Sequence, residues 1–83
     1  MEEALKVSVD RLANCAYVSL SEASVVRTER VNDLVNADVD EEGRIVGLEL
    51  LALGANVPLK EIANKFHLST SETQKFASAL ASL

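Results

Sequence analysis

The residues with the most recognisable chemistry lie between positions 38 and 49, where the sequence is DVDEEGRIVGLE. This segment follows the calcium-loop template D-x-[DN]-x-[DN]-G-x₅-E closely. Asp38, Asp40 and Glu42 take the first, third and fifth positions, and Gly43 and Glu49 take the sixth and twelfth. In a calcium loop of this type, a helix on each side holds the carboxylates around the ion.

The sequence on either side of this segment favours strands rather than helices. Apolar residues occupy every second position in residues 35–39 and again in residues 46–50, which is the period of a strand. Glu42 is also longer than the aspartate or asparagine that the fifth position requires. Glu49 would lie well away from a turn between two strands. We therefore expect no calcium site here and no other metal.

The same residues suit a tight hairpin. Residues 41–43 can form a three-residue loop with Gly43 in the left-handed conformation. Asp40 and Arg44 would then face each other across the two strands as a favourable charge pair.

Other residues that could act in catalysis lack the neighbours they would need. His67 is the only histidine and Cys15 the only cysteine, so neither has the ligand spacing of a metal site or an adjacent base in sequence. Asp38 and Glu49 could form an acid–base pair, but no phosphate-binding glycine loop or nucleophile elbow accompanies them. We expect that the protein is not an enzyme and binds no cofactor.

The periodicity predicts five strands followed by two helices. The strands are expected at residues 5–9, 15–20, 25–31, 34–40 and 44–51. In the first of them, Leu5, Val7 and Val9 alternate with polar residues, which predicts a half-buried strand.

After Gly54 the period becomes helical, and we predict helices at residues 58–66 and 70–81. Pro58 suits the first helical position, and Ser69 and Glu72 form a capping box for the second helix. The expected apolar stripes are Leu59, Ile62, Ala63 and Phe66 in the first helix, and Thr73, Phe76, Ala77 and Leu80 in the second.

Strands followed by helices, without alternation, predict an α+β fold with a mostly antiparallel sheet. The 83 residues suffice for a single domain. We expect residues 5–51 to form its sheet core and residues 56–83 a helical hairpin tail.

The composition indicates a soluble cytoplasmic protein. No apolar run approaches the length of a membrane span, Glu2 and Glu3 do not suit a secretory signal, and one cysteine cannot form an internal disulfide. The net charge is −5, and the charged residues are unevenly distributed along the chain. Residues 1–54 carry five basic and eleven acidic residues, whereas residues 55–83 carry three basic and two acidic ones.

Residues 5–51 resemble a small bacterial family catalogued as domain of unknown function 2283. The similar positions include a tyrosine, a threonine-containing strand, an Asp-x-Asp-x-x-Gly turn and the closing segment VGLELL; they are Asp10, Asn14, Tyr17, Val18, Thr28, Asp38, Asp40, Gly43, Val46, Gly47, Glu49 and Leu50. Val9 replaces the usual aromatic residue, and Asn14 the usual aspartate. The resemblance implies a small sheet-plus-helix domain of bacterial cytoplasm and no defined activity. Some members look like partners of small toxin-like proteins.

Tyr17 and Glu49 both stand at positions where the sequence resembles the pattern of that family. A buried tyrosine hydroxyl needs an acceptor, and a glutamate on a neighbouring strand could provide it. We therefore expect a hydrogen bond from Tyr17 to Glu49.

Residues 58–80 resemble a helix-turn-helix, a motif that binds DNA. The second helix would expose Ser71, Gln74, Lys75 and Ser78 for base or phosphate contacts. His67 stands where the turn prefers glycine, and Thr73 where valine or isoleucine is usual. Three lysines beside a strongly acidic body give little of the basic surface that phosphate binding requires.

We therefore expect a protein–protein interaction module, acidic enough to bind and neutralise a small basic protein. The candidate partner-binding residues are Asp38, Asp40, Glu41 and Glu42. The alternative is a DNA-binding regulator that uses the helix pair. Small size, short sheet edges and the apolar helical tail also favour a homodimer.

Overall fold

The computed structural model describes residues 5–83; Glu2 and Glu3, considered above, lie outside this part of the chain. Five strands precede two helices, which confirms the predicted α+β class. The elements are β1 (Lys6–Asp10), β2 (Cys15–Ser19), β3 (Arg27–Asn32), β4 (Val35–Val39), β5 (Ile45–Leu50), α1 (Leu59–Phe66) and α2 (Thr70–Ala81).

The strands form one sheet in the order β1-β2-β5-β4-β3, and every neighbouring pair is antiparallel. β5 is therefore central, between β2 and β4. Residues 20–26 carry the chain from β2 past β5 and β4 to the far edge, where β3 lies. Backbone N–H groups of Leu20 and Ser21 bond the carbonyl of Val46 at the start of this connection.

The strand register separates an apolar face from a polar one. Ala16 lies opposite Leu50, and Leu48 lies between Val18 and Ala37 on the two neighbouring strands. All five are buried. The helices cover this face and contribute Ile62, Phe66 and Phe76 to the same core. The helical tail thus packs on its own sheet.

The first strand differs from the prediction. Val7 and Val9 are 41% and 38% exposed rather than half-buried within the core. β1 forms the edge of the sheet, and the helical layer covers its central strands. Leu5 alone, at the start of this segment, packs against the core.

The helix ends follow the predicted signals with one change. Pro58 is the N-cap of α1 rather than its first residue, because its ψ of 76° is not helical. The Ser69–Glu72 capping box is confirmed: Ser69 Oγ accepts from the Glu72 N–H at 3.0 Å, and Glu72 Oε1 accepts from the Ser69 N–H at 2.9 Å. His67, between the helices, has a left-handed backbone with φ 58°.

The apolar stripe of α2 also needs one correction. Phe76 is buried and Thr73 and Leu80 are half-buried, but Ala77 is exposed and Ala79 takes its place. Each helical residue turns by about 100°, so Ala77 lies to the side of a stripe centred on Phe76.

Candidate functional site

The β4–β5 hairpin has the predicted three-residue loop. Gly43 has φ +81°, and its N–H donates to the Asp40 carbonyl at 3.0 Å. Asp40 Oδ1 accepts from the backbone N–H of Glu42 and of Arg44, each at 2.9 Å. This carboxylate therefore stabilises the turn.

Asp40 does lie opposite Arg44, since the Asp40 N–H bonds the Arg44 carbonyl at 2.9 Å. The expected charge pair between their side chains is wrong, because within residues 5–83 no ion pair joins them. The carboxylate is turned to the backbone of its own loop instead.

The carboxylates of the calcium template do not converge. Both flanking segments are strands, as predicted. Asp38 bonds side chains of β2 and β3, while Glu49 Oε1 accepts from Asn36 Nδ2 at 3.2 Å. Across the part of the chain that the structure describes, no three His, Cys, Asp or Glu side chains are grouped to hold a metal ion.

A chain of side-chain hydrogen bonds crosses the polar face of the sheet. Tyr17 Oη donates to Asp38 Oδ2 at 2.9 Å, and Thr28 Oγ1 donates to Asp38 Oδ1 at 2.6 Å. These residues lie on β2, β4 and β3, so the tyrosine spans the intervening β5. We call this arrangement the Tyr17–Asp38–Thr28 chain.

Gly47 on β5 makes that span possible. It lies opposite Ser19 on one side and Asp38 on the other. A Cβ at this position would lie 2.5 Å from Tyr17 Cζ and 2.7 Å from Cε2, closer than real contacts allow. The tyrosine ring therefore lies directly over the glycine backbone.

The expected bond from Tyr17 to Glu49 is wrong. Glu49 is the direct cross-strand neighbour of Tyr17, but the ring extends over β5 and its hydroxyl reaches Asp38 on the next strand. Glu49 remains close enough for its charge to act on the phenol.

The environment raises the pKa of the Tyr17 hydroxyl to about 12. Burial is the largest cause, followed by the hydrogen bond to Asp38, then the negative charges of Asp38 and Glu49. The phenol therefore keeps its proton to a higher pH than an ordinary tyrosine, and this proton is the one donated to Asp38.

The hairpin loop forms an acidic surface beside exposed valines. Glu41 and Glu42 are exposed and line a shallow depression with Val26. Val25 and Val26 were predicted to begin the third strand, but they precede it and are 46% and 55% exposed. We call Val25, Val26, Glu41 and Glu42 the acidic hairpin end.

The four candidate partner-binding residues therefore divide into two groups. Glu41 and Glu42 are exposed at the loop. Asp40, half-buried, caps the turn, and Asp38 belongs to the Tyr17–Asp38–Thr28 chain. The linear sequence does not distinguish Asp38 from the others, because its hydrogen-bond partners, Tyr17 and Thr28, lie on strands distant in sequence.

Of the four candidate DNA-binding residues on the second helix, three are exposed: Ser71, Gln74 and Ser78. Lys75 is half-buried and lines a groove between the helices and the hairpin. Carboxylate residues line the same groove: Asp40, Glu42 and Glu72. The electrostatic surroundings of Lys75 are thus partly acidic.

In α1, Lys65 Nζ lies 3.2 Å from Glu29 Oε1. Glu29 also accepts from Arg27, and both contacts lower its carboxyl pKa, that of Arg27 most. Lys65, in the helical tail, is therefore paired with the sheet.

No helix among residues 5–83 is long and apolar enough to cross a membrane. Cys15 is half-buried and not in a disulfide. His67 is exposed at the end of α1.

Neither a curated protein nor a solved structure matches this sequence. A family model described as "Protein of unknown function (DUF2283)" matches residues 6–53, which is more than half of the chain. The match spans all five strands and ends before α1, and it includes Tyr17, Thr28, Asp38 and Gly47 of the polar face. The chain therefore belongs to the DUF2283 family, and its two helices lie beyond the matched segment.

Proposed function

We propose that the protein is a non-enzymatic interaction module that binds a basic segment of a protein partner at the acidic hairpin end. The observation that carries this proposal is the contiguity of two exposed carboxylates with the exposed Val26. Glu41 and Glu42 are exposed beside Val26, whose surface is 55% accessible. Apolar contact area with charges beside it is typical of a protein-binding surface.

The shape of the loop supports the same proposal. Asp40 fixes the loop through two backbone hydrogen bonds, and Gly43 supplies the left-handed residue. A loop held in one conformation loses little conformational entropy when a partner binds. The net charge of −5 adds long-range attraction for a basic partner.

The polar face supports a role without catalysis. Both Asp38 oxygens accept hydrogen bonds from within the sheet, and the Tyr17 hydroxyl is the donor of one of them. These hydrogen bonds stabilise the sheet, and the Tyr17 phenol, which is protonated at neutral pH, does not act as a nucleophile there.

The test is a comparative capture from a nuclease-treated native lysate of the source cells, quantified by mass spectrometry. The wild-type protein is compared with the double variant Glu41→Lys/Glu42→Lys. The matched control is Asp33→Lys/Glu61→Lys, which changes the net charge equally. Asp33 lies in the β3–β4 turn, at the opposite end of β4 from Asp40, and both control residues are exposed.

We expect one basic protein to be retained by the wild type and by the control, and to be lost with the hairpin variant. Equal loss with both variants would mean that net charge alone governs capture, which contradicts a specific site. Retention by the hairpin variant would exclude the acidic hairpin end.

A DNA-binding regulator is the second candidate, favoured by the three-residue link between the helices. His67 has the left-handed backbone that the motif's turn glycine normally supplies, and Ser71 and Gln74 are exposed on the following helix. The pairing of Lys65 with Glu29 and the carboxylates that line the groove beside Lys75 weaken this candidate.

Fluorescence anisotropy with labelled duplex DNA separates the two candidates. Binding that falls steeply with salt and is lost in Gln74→Ala would favour the regulator. Under the proposed function, no such binding occurs at physiological salt.

A further inference from the structure

The first strand presents an unusual edge. Val7 lies opposite Val18, and Val9 opposite Ala16. Val18 and Ala16 are buried, whereas the two valines are about 40% exposed. The apolar layer of the sheet therefore continues past the helices as far as the β1 edge.

Charged residues at a sheet edge commonly prevent pairing with another chain. In β1 the order is Lys6, Val7, Ser8, Val9, Asp10. The two charges have opposite sign and stand at equal distances from Ser8. An antiparallel copy of this strand would therefore meet attraction rather than repulsion.

We propose that two copies of the protein associate through antiparallel pairing of their β1 strands, with the two-fold axis at Ser8. Lys6 then lies opposite the partner's Asp10, and Val7 opposite the partner's Val9. Each pair occurs twice by symmetry. The two five-stranded sheets become one ten-stranded sheet, with all four helices on one side.

The alternative registers lack this match. A shift by one residue joins the apolar face of one copy to the polar face of the other. Centring the axis on Val7 places Lys6 opposite Ser8, and centring it on Val9 places Asp10 opposite Ser8. When the axis passes through a residue, residues with outward-pointing backbone groups in one copy lie opposite residues of the same kind in the other copy. The outward N–H groups of each strand then meet the outward carbonyl groups of its partner.

The other sheet edge is less suited to the same pairing. The pairing of β3 with β4 shifts register between Arg30 and Asn32, and such irregularities discourage edge association. The proposal does not depend on the acidic hairpin end.

Sedimentation velocity tests the proposal on the full chain and on two charge variants, Lys6→Asp and Asp10→Lys. The wild type is expected to sediment as a dimer, twice the 8.9 kDa chain mass. Each variant places like charges at both ends of the interface, and we expect about tenfold weaker association or more. In an equimolar mixture, every charge again meets its opposite, and the variants should form a heterodimer.

The mixture controls for effects inside one chain. Lys6 pairs with Glu22 at 3.1 Å, and Asp10 Oδ1 accepts from the Ala13 N–H at 3.0 Å. Each variant loses one of these contacts, and mixing does not restore it. Recovered association therefore reports the interface alone.

Ser8→Glu provides a variant that leaves Lys6 and Asp10 intact, and the exposed Ser78→Glu on α2 is its control. We expect Ser8→Glu to lose the dimer, because two glutamates would meet on the axis, and Ser78→Glu to retain it. A monomeric wild type would overturn the proposal. So would a dimer that survives Ser8→Glu, or a mixture that stays monomeric although circular dichroism shows both variants folded.

Discussion

Replacing Tyr17 with phenylalanine isolates the hydrogen bond that joins β2 to β4 across the central strand. The ring remains over Gly47, so packing is preserved and only the hydroxyl is removed. Asp38 keeps its 2.6 Å bond from Thr28 but loses the 2.9 Å bond from Tyr17. The variant should therefore fold and be less stable.

The contact determines the expected magnitude. A neutral hydrogen bond contributes about 0.5–1.5 kcal/mol net, and one to a charged group about 1.5–3 kcal/mol. Tyr17 and Asp38 are both half-buried, so water partly replaces the lost bond. We expect a loss of about 1–1.5 kcal/mol in the free energy of unfolding. For a domain of this size, that lowers the melting temperature by about 5–10 °C.

Urea denaturation monitored by circular dichroism provides the assay, in a double-mutant cycle with Asp38→Ala. In the Asp38→Ala background, Tyr17→Phe should cost little, because the acceptor is already absent. An unchanged midpoint for Tyr17→Phe would refute the reasoning. An equal cost in both backgrounds would also refute it, since the effect would not come from Asp38.

Three further predictions concern the same fold. Gly47→Ala should destabilise by about 1–3 kcal/mol through contact with the Tyr17 ring, and clearly less in a Tyr17→Ala background; equal costs in differential scanning calorimetry would contradict that contact. Tyr17 is the only tyrosine and the chain has no tryptophan, so tyrosinate absorbance should titrate near pH 12 in the folded protein and at lower pH, but still above 10, in Asp38→Asn. Because the pKa of Tyr17 is raised on folding, its protonated hydroxyl contributes fully to the free energy of unfolding below pH 10, and this contribution is lost as the pH rises towards 12. A tyrosinate titration midpoint at pH 10, in protein that circular dichroism shows to be folded, would disprove the environment described for Tyr17. Ser69→Ala should cost about 1 kcal/mol through loss of the capping box, whereas Ser78→Ala on the exposed face of α2 should leave the urea midpoint nearly unchanged.

Local features of the fold could be predicted because their determinants lie within a few residues of each other. Period-two alternation located the strands to within one or two residues in most cases, and Ser69 and Glu72 defined the start of α2. The hairpin at Gly43 followed from one glycine between two alternating segments.

The features that the sequence did not reveal depend on strand order. Tyr17 bonds Asp38 only because β5 lies between β2 and β4, and no local pattern specifies that order. Val7 and Val9 have the alternation of a half-buried strand, yet they are exposed because β1 lies at an edge. Burial by a neighbouring chain would leave the same pattern in the sequence.

For a related reason, the candidate site could be predicted only in part from the sequence. Four acidic residues lie close together in the sequence: Asp38, Asp40, Glu41 and Glu42. In the fold, Asp38 and Asp40 accept hydrogen bonds from other residues of the chain, which the sequence does not reveal. The exposure of Val26 beside the loop depends on where β3 begins, which periodicity predicted two residues too early.

The most direct test of the proposed function is the amide NMR spectrum of the labelled protein on addition of the basic protein isolated by the comparative capture. We predict that the largest shift changes fall on Val25, Val26, Glu41 and Glu42. The amides of Tyr17 and of Ser71 should be nearly unaffected. Changes centred on Ser71 and Gln74, or no saturable change at any residue, would contradict binding at the acidic hairpin end.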